Sequence, residues 1–206
     1  MEEMLDVLDE KYQVIGQETR RNVHKKGLLH AAFQCWFYQV IDGMPYLLFQ
    51  KRNADVNFPN LLDITAAGHL KAGEGPREGA REIKEELGID ITFEDLTALG
   101  ITEDRLPHDG VRKDWECSHI YVYLFQGEME ALQLNPEEVA GVVRLPLAAF
   151  KEMVEDPAVV QEVTAVSYDG EQTTAAVYSL SIRDFVPHTA DYYRFFIEKL
   201  EEIVNR

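Results

Sequence analysis

Cysteine is nearly absent: Cys35 and Cys117 are the only two in 206 residues. That is too few for a disulfide framework, and no Cys-x-x-Cys pair offers a thiolate metal site. Both lie in apolar, strand-like runs, which predicts buried free thiols and a cytoplasmic protein. Long apolar runs are missing too. The most apolar stretch, 31–41, is broken by Gln34 and Gln39 and falls well short of the roughly 18 residues of a membrane span, so no membrane partner is expected. The acidic start Met1-Glu2-Glu3-Met4 lacks the basic opening of a secretory signal. Positive charge is scarce, with 20 Lys and Arg against 37 Asp and Glu and a net charge of −17. Such a surface repels polyanions and argues against nucleic acid as a bulk partner. A small anionic ligand must instead be drawn in by bound cations and a few local Lys or Arg side chains. No internal repeat or low-complexity linker divides the chain. Its length suits one domain, with a core at about 28–150, N-terminal strands within 1–27, and a C-terminal hairpin and helix within 151–206.

Periodicity outlines the elements that are present. Short strands are predicted at 4–9 and 12–16, then a polar, basic segment at 18–26. Residues 31–40 and 46–51 read as a core hairpin turning at Asp42-Gly43, a strong turn dipeptide. A loop at 53–60 and a short strand at 62–66 lead to Gly68. A helix follows over 76–87, with Pro76 at its first position and Gly88 closing it. Further strands are expected at 96–101 and 118–126, separated by a charged loop, then a helix at 146–155. Asp169-Gly170 marks a second hairpin between 163–168 and 174–179. A periodic helix spans 189–205 through Tyr192, Phe195, Phe196, Leu200 and Ile203. Its aromatic cluster packs on the chain's own core or serves a homodimer contact. The pattern implies an α/β architecture, a mixed sheet with helices on its faces.

The chemistry concentrates in Gly68-His69-Leu70-Lys71-Ala72-Gly73-Glu74 and Arg81-Glu82-Ile83-Lys84-Glu85-Glu86-Leu87-Gly88-Ile89. Glu82, Glu85 and Glu86 stand at i, i+3 and i+4, so a helix places them on one face while Ala80, Ile83 and Leu87 form a separate stripe that can be buried. An exposed acidic face neutralised by Arg81 and Lys84 would produce the same local sequence at little cost. The glycine-bounded loop and the upstream Glu74 favour a compact oxygen-donor site instead. Mg²⁺ (or Mn²⁺) suits it, because such an ion is held by one or two carboxylates plus substrate phosphates. The expected substrate is a small phosphorylated molecule.

This run resembles the box of the Nudix hydrolase superfamily, with six residues between Glu74 and Arg81 where that pattern has seven. The resemblance implies an α/β/α sandwich and a divalent-metal-dependent hydrolase cleaving a diphosphate linked, as in nucleoside diphosphate derivatives, to another moiety. It implies Glu82, Glu85 and Glu86 as metal ligands, one of them a candidate water-activating base, with the Ala67 carbonyl as a further ligand. Gly68 would permit close backbone approach, and Arg81 and Glu74 would support the acids. The shorter spacing bears on where Glu74 falls. Relatives also draw an acid from the region of Glu116 and Asp114 or of Glu137-Glu138; their neighbours Arg105, His108, Arg112 and Lys113 are expected to be solvated. Arg52 is a candidate phosphate contact or an exposed ion pair.

Outside the box, Gly27-Leu28-Leu29-His30-Ala31-Ala32-Phe33, Trp36-Phe37 and Gly68-His69 resemble the isopentenyl-diphosphate isomerase branch. That resemblance implies a divalent metal among His30, His69, Asp114 and Glu116, with a further histidine near His24; the basic patch of Arg20, Arg21, Lys25 and Lys26 favours His24 as a surface residue instead. The isomerase uses a cysteine directly before its Gly-His pair, where this chain has Ala67, and does not need the full glutamate triad. Hydrolysis therefore ranks above isomerisation. A catalytically silent nucleotide-binding module ranks third, since such modules usually lose box glutamates and all are present.

Overall fold

The computed structural model describes residues 2–106 and 113–205; His108 and Arg112 lie outside them. A hairpin of β1 (Met4–Leu8) and β2 (Val14–Thr19) leads into α1 (Arg20–Lys26). The Thr19 side chain caps α1 by accepting from the Asn22 N–H, and Gly27 ends it at φ 67°. The segment read as merely polar and basic thus holds a strand end and a helix. Next come β3 (Leu29–Ile41) and β4 (Met44–Arg52), turning through Asp42 and Gly43, both at positive φ, as the twist of a tight hairpin requires. The strand expected at 62–66 is two short ones, β5 (Leu62–Asp63) and β6 (Ala66–His69). The helix expected over 76–87 is jointed at Ala80 into α2 (Pro76–Gly79) and α3 (Arg81–Leu87). Gly79 packs so tightly that a Cβ there would lie 2.5 Å from Leu70 and 2.7 Å from Phe33. Strands β7 (Thr97–Leu106) and β8 (Asp114–Leu124) are longer than predicted, so Asp114 and Glu116 belong to a strand. Arg105 is in β7, its guanidinium 3.9 Å above the Trp115 ring centre. The remaining elements are β9 (Val139–Pro146), α4 (Leu147–Glu155), β10 (Gln161–Tyr168), β11 (Thr173–Leu180) and α5 (Ala190–Val204).

The eleven strands of the described residues join one sheet, whose main path runs β11-β10-β9-β4-β3-β1-β2, with β5 on β4, β6 and β8 on β3, and β7 on β8. Only β3 with β8 is parallel among these pairings; the rest are antiparallel. Because successive strand residues face opposite sides, β3 feeds two cores. Trp36 and Tyr38 join Phe49, Phe150, Tyr192 and Phe196 under α4 and α5. Phe33, Cys35 and Phe37 join Leu48, Ile83 and Leu87 under α3. The α/β/α layering implied by the sequence is therefore observed. The aromatic residues of α5 are spent within the chain: Tyr192, Tyr193 and Phe196 are buried, and the Phe196 ring stacks on Trp36 at 4.1 Å.

Candidate functional site

An open cleft of about 1650 Å³ gathers most of the predicted residues, with Ala67, Gly68, His69, Glu82, Glu85, Glu86, Asp114, Glu116 and Arg52 on its wall, while His30 and Glu74 do not line it. Ile83 and Leu87 pack against the sheet, and the adjoining flank of α3 carries Glu82 and Glu86 against β6. Glu86 is 4% exposed, and its Oε2 accepts from the Ala67 N–H (3.1 Å) and the Gln50 amide (3.4 Å). Gly68 has no room for a side chain, since a Cβ would lie 2.3–2.6 Å from the Glu82 carboxylate. Arg81 organises the acids: its guanidinium meets Glu74 (2.9 Å), Glu82 (2.8 Å) and Glu85 (3.6 Å) and donates to the His69 carbonyl (3.3 Å). The short Glu74–Arg81 spacing is thus absorbed without separating the pair. Glu85 is the outermost of the three, with its side chain 54% exposed.

Burial sets the electrostatics. It raises the Glu82 carboxyl to about 7, aided by Glu85 and Glu138 and opposed by Arg81. Glu86 is pushed well above the usual carboxylate range by burial and by the charge of Glu82, against the Ala67 N–H that favours its ionised form. Glu86 has no cationic side chain paired with it among the described residues, and Glu82 shares Arg81 with Glu74 and Glu85, so a bound cation is what these crowded carboxylates would accept. Ala67 is 19 positions from Glu86 in sequence and meets it through the fold, with its N–H, not its carbonyl, engaging the carboxylate.

A second donor group stands at the other end of β6. One ligand atom each from His24, His30, His69 and Asp114 lies within 4.8 Å of every other. The His30 and His69 Nε2 atoms are buried without a hydrogen-bond partner among the described residues. His30 Nδ1–H donates to the Leu28 carbonyl (3.0 Å) and His24 Nδ1–H to the Arg20 carbonyl (2.7 Å). Each ring is thereby fixed with Nε2 toward the group, the arrangement that metal-ligating histidines share. Burial holds His69 well below, and His30 below, the usual histidine range, which leaves their lone pairs free to coordinate. Burial also pushes Glu116 well up, reinforced by Asp114 and Asp104, and its Oε1 stands 3.7 Å from His69 Nε2. His24 corrects the sequence expectation: it is only 9% exposed and belongs to the group. Its basic neighbours along α1 masked that, because one face of a short helix can be buried while the rest is solvated.

Other site residues carried no sequence signal. His188 Nδ1 donates to Asp104 (2.5 Å) and Nε2 to Asp63 (2.9 Å), while Arg52, read as a phosphate contact or an exposed pair, holds the second Asp63 oxygen at 2.8 Å. Burial alone would lower His188, but hydrogen bonds to Asp104 and Asp63 prevail and raise it to about 10. Glu138, one of the two alternative acids, lines the cleft and adds to the field on Glu82 and Glu86.

Known proteins share this fold and much of this sequence. A NUDIX domain model matches residues 29–163. An uncharacterized Nudix hydrolase of Clostridium acetobutylicum is 36% identical over 202 residues, covering 97% of each chain. An isopentenyl-diphosphate Delta-isomerase of Serratia proteamaculans is 30% identical, covering 67% of this chain and 73% of its own. A crystal structure of a Deinococcus radiodurans protein superposes with a TM-score of 0.53 at 23% identity, over 73% of this chain and 90% of that one. The domain match spans well over half the sequence and contains the glycine loop, the acid-bearing helix and most of the histidine group; this chain is a member of the Nudix hydrolase family.

Proposed function

We propose that the chain is a divalent-metal-dependent pyrophosphohydrolase, cleaving a phosphoric anhydride that joins a diphosphate, such as a nucleoside diphosphate, to another moiety. One observation carries this reading: Glu82 is half-buried against a glycine that leaves no space for a Cβ, and Glu86 is buried against the neighbouring Ala67 N–H, at an electrostatic cost that a cation would relieve. The donor sets fit two kinds of ion. Glu82, Glu85, Glu86 and the Ala67 carbonyl form an all-oxygen set suited to Mg²⁺, whereas His24, His30, His69, Asp114 and Glu116 mix imidazole and carboxylate and suit a transition ion such as Mn²⁺. A bound ion supplies charge neutralisation at the diphosphate and acidifies coordinated water. The protein's own part is to hold the acids with Arg81, and to offer a carboxylate, Glu116 or a box glutamate, as proton acceptor. Arg52 and Lys71 on the cleft wall are candidates to meet phosphate oxygens within a strongly acidic molecule.

A second reading, isomerisation of isopentenyl diphosphate, draws support from the histidine group and from the isomerase relatives. The chemistry of position 67 weighs against it, because an alanine methyl cannot deliver a proton. Cys117 is no substitute. It is fully buried, its thiol is pushed up to about 11 by burial and by Glu103, and it alternates with Glu116 onto the other face of β8. Incubation with nucleoside triphosphates, nucleotide sugars, dinucleotides and isoprenoid diphosphates under Mg²⁺ or Mn²⁺ tests both readings. Metal-dependent release of phosphate or a monophosphate product is expected. Double-bond migration of isopentenyl diphosphate without hydrolysis of any compound would reverse the ranking.

A further inference from the structure

Glu116 sits at the end of a buried chain of hydrogen bonds whose direction is fixed by chemistry. Trp36 Nε1 lies 3.1 Å from the Tyr192 hydroxyl, which lies 2.6 Å from Gln34 Oε1; Gln34 Nε2 lies 3.0 Å from Glu116 Oε2. An indole N–H can only donate. The Tyr192 oxygen therefore accepts from Trp36 and directs its own proton to Gln34 Oε1. That leaves the Gln34 amide N–H facing Glu116, so neither end of the amide is free to flip. Gln34 is 2% exposed, and Trp36 and Tyr192 are fully buried. The rings are clamped as well, with Trp36 stacked on Phe196 at 4.1 Å and Tyr192 on His188 at 4.8 Å. Alternation along β3 makes this geometry available, because His30, Gln34 and Trp36 share one face of the strand.

The consequence falls on the two carboxylate oxygens of Glu116. Oε2 takes the Gln34 bond and a weaker approach from the Ser118 hydroxyl at 3.5 Å. Oε1 is left pointing toward His69 Nε2, at 3.7 Å. We propose that Trp36, Tyr192 and Gln34 form a positioning relay, contributed in part by the C-terminal helix, that pins one Glu116 oxygen so that the other is presented to the His24–His30–His69–Asp114 group. The inference deepens the proposed function and rests on that group being a metal site. Gln34 and Tyr192 are positioning residues, since they touch Glu116 or each other and none of the donor atoms of the histidines.

The test uses the full chain and Co²⁺ or Mn²⁺ alone, read by calorimetry and by the Co²⁺ visible spectrum, with turnover measured separately. Tyr192→Phe and Gln34→Met should weaken metal binding roughly 10–100-fold, the usual effect of removing an outer partner of a ligand, and alter the Co²⁺ spectrum. Their kcat should fall more than KM changes. Tyr193→Phe is the matched control: that hydroxyl is also buried, but it donates to the Val186 carbonyl at 2.6 Å and not to the relay. It should lower the melting temperature to a similar extent and leave affinity and spectrum unchanged. If Tyr192→Phe and Gln34→Met reduce thermal stability alone, like the control, the relay is overturned while the metal site stands. Failure of the unaltered chain to bind either ion removes the metal-site reading itself, and the relay with it.

Discussion

At Glu86 the demands of folding and of the site oppose each other. The carboxyl is 4% exposed, and burial together with Glu82 raises its proton affinity well above that of a free glutamate. A carboxyl whose folded pKa lies above its unfolded one binds more protons in the native state, so stability falls as pH rises through that interval. At neutral pH in the absence of metal, Glu86 is therefore a net cost to the fold. Glu86→Gln keeps the shape and an acceptor for the Ala67 N–H while removing the buried charge. It should stabilise the metal-free protein by roughly 1–3 kcal/mol, the scale of an uncompensated buried polar group, and raise the thermal midpoint accordingly. The same change should reduce metal-dependent hydrolysis by about 100-fold or more, since a ligand is lost. A variant that melts lower than the parent yet turns over normally would remove Glu86 from the site. Glu85, exposed and paired with Arg81 at 3.6 Å, should show no comparable stabilisation when made Gln.

Among the elements, the segment between β11 and α5 does more than connect them. His188 there bridges Asp63 in β5 and Asp104 in β7, and the Thr189 N–H donates to the second Asp104 oxygen at 2.9 Å. Three separate parts of the chain are thus tied by one buried imidazolium. Its folded value of about 10 lies above the unfolded histidine value, so its contribution is complete below about pH 6.5 and is lost as pH climbs toward 10. Asp63 moves the opposite way. Burial opposes its charge, but His188 and Arg52 hold it below the usual range, so its contribution is lost only under acid conditions. Urea denaturation at pH 6, 8 and 9.5 should show declining stability, and His188→Asn should flatten that decline. At pH 6 the variant should be less stable by about 3–5 kcal/mol, as for a buried pair that loses one partner. An unchanged slope would show that the bridge does not carry the charge assigned to it. None of this is legible in the sequence, because His188, Asp63 and Asp104 meet only through tertiary packing. Local signals reached further elsewhere. The Asp42-Gly43 and Asp169-Gly170 turns, the alternation in β3 and the spacing from Gly68 to Ile89 each encode their geometry over a few residues. His24 failed that kind of reading: its burial depends on the start of β8, while the segment around it in sequence carries Arg20, Arg21, Lys25 and Lys26. Gln34 and Tyr192, 158 positions apart, could be joined only by the structure.

For the molecule as a whole, the open question in the sequence was whether the aromatic helix α5 closes the chain's own core or faces a second copy. Tyr192, Tyr193, Phe196, Ile197 and Leu200 are each at most 3% exposed, and they pack with Trp36, Phe49 and Phe150 beneath the central sheet. Burying side chains of this kind stabilises by about 1.5–3 kcal/mol each, so the five together supply roughly 8–15 kcal/mol. That equals the whole net stability of an ordinary domain, about 5–15 kcal/mol. Helix α5 also bears the hydroxyl that reaches Gln34, and it follows directly on His188, so its loss would open the floor of the cleft along with the core. A chain ending at residue 189 should therefore lack a cooperative thermal transition, digest rapidly with protease and bind neither Mn²⁺ nor Co²⁺ at the histidine group. A helix that served only as a docking face would leave a folded, metal-binding monomer when removed. Calorimetry and limited proteolysis on the shortened chain separate the two, and a sharp melt near the parent's midpoint would return α5 to the surface.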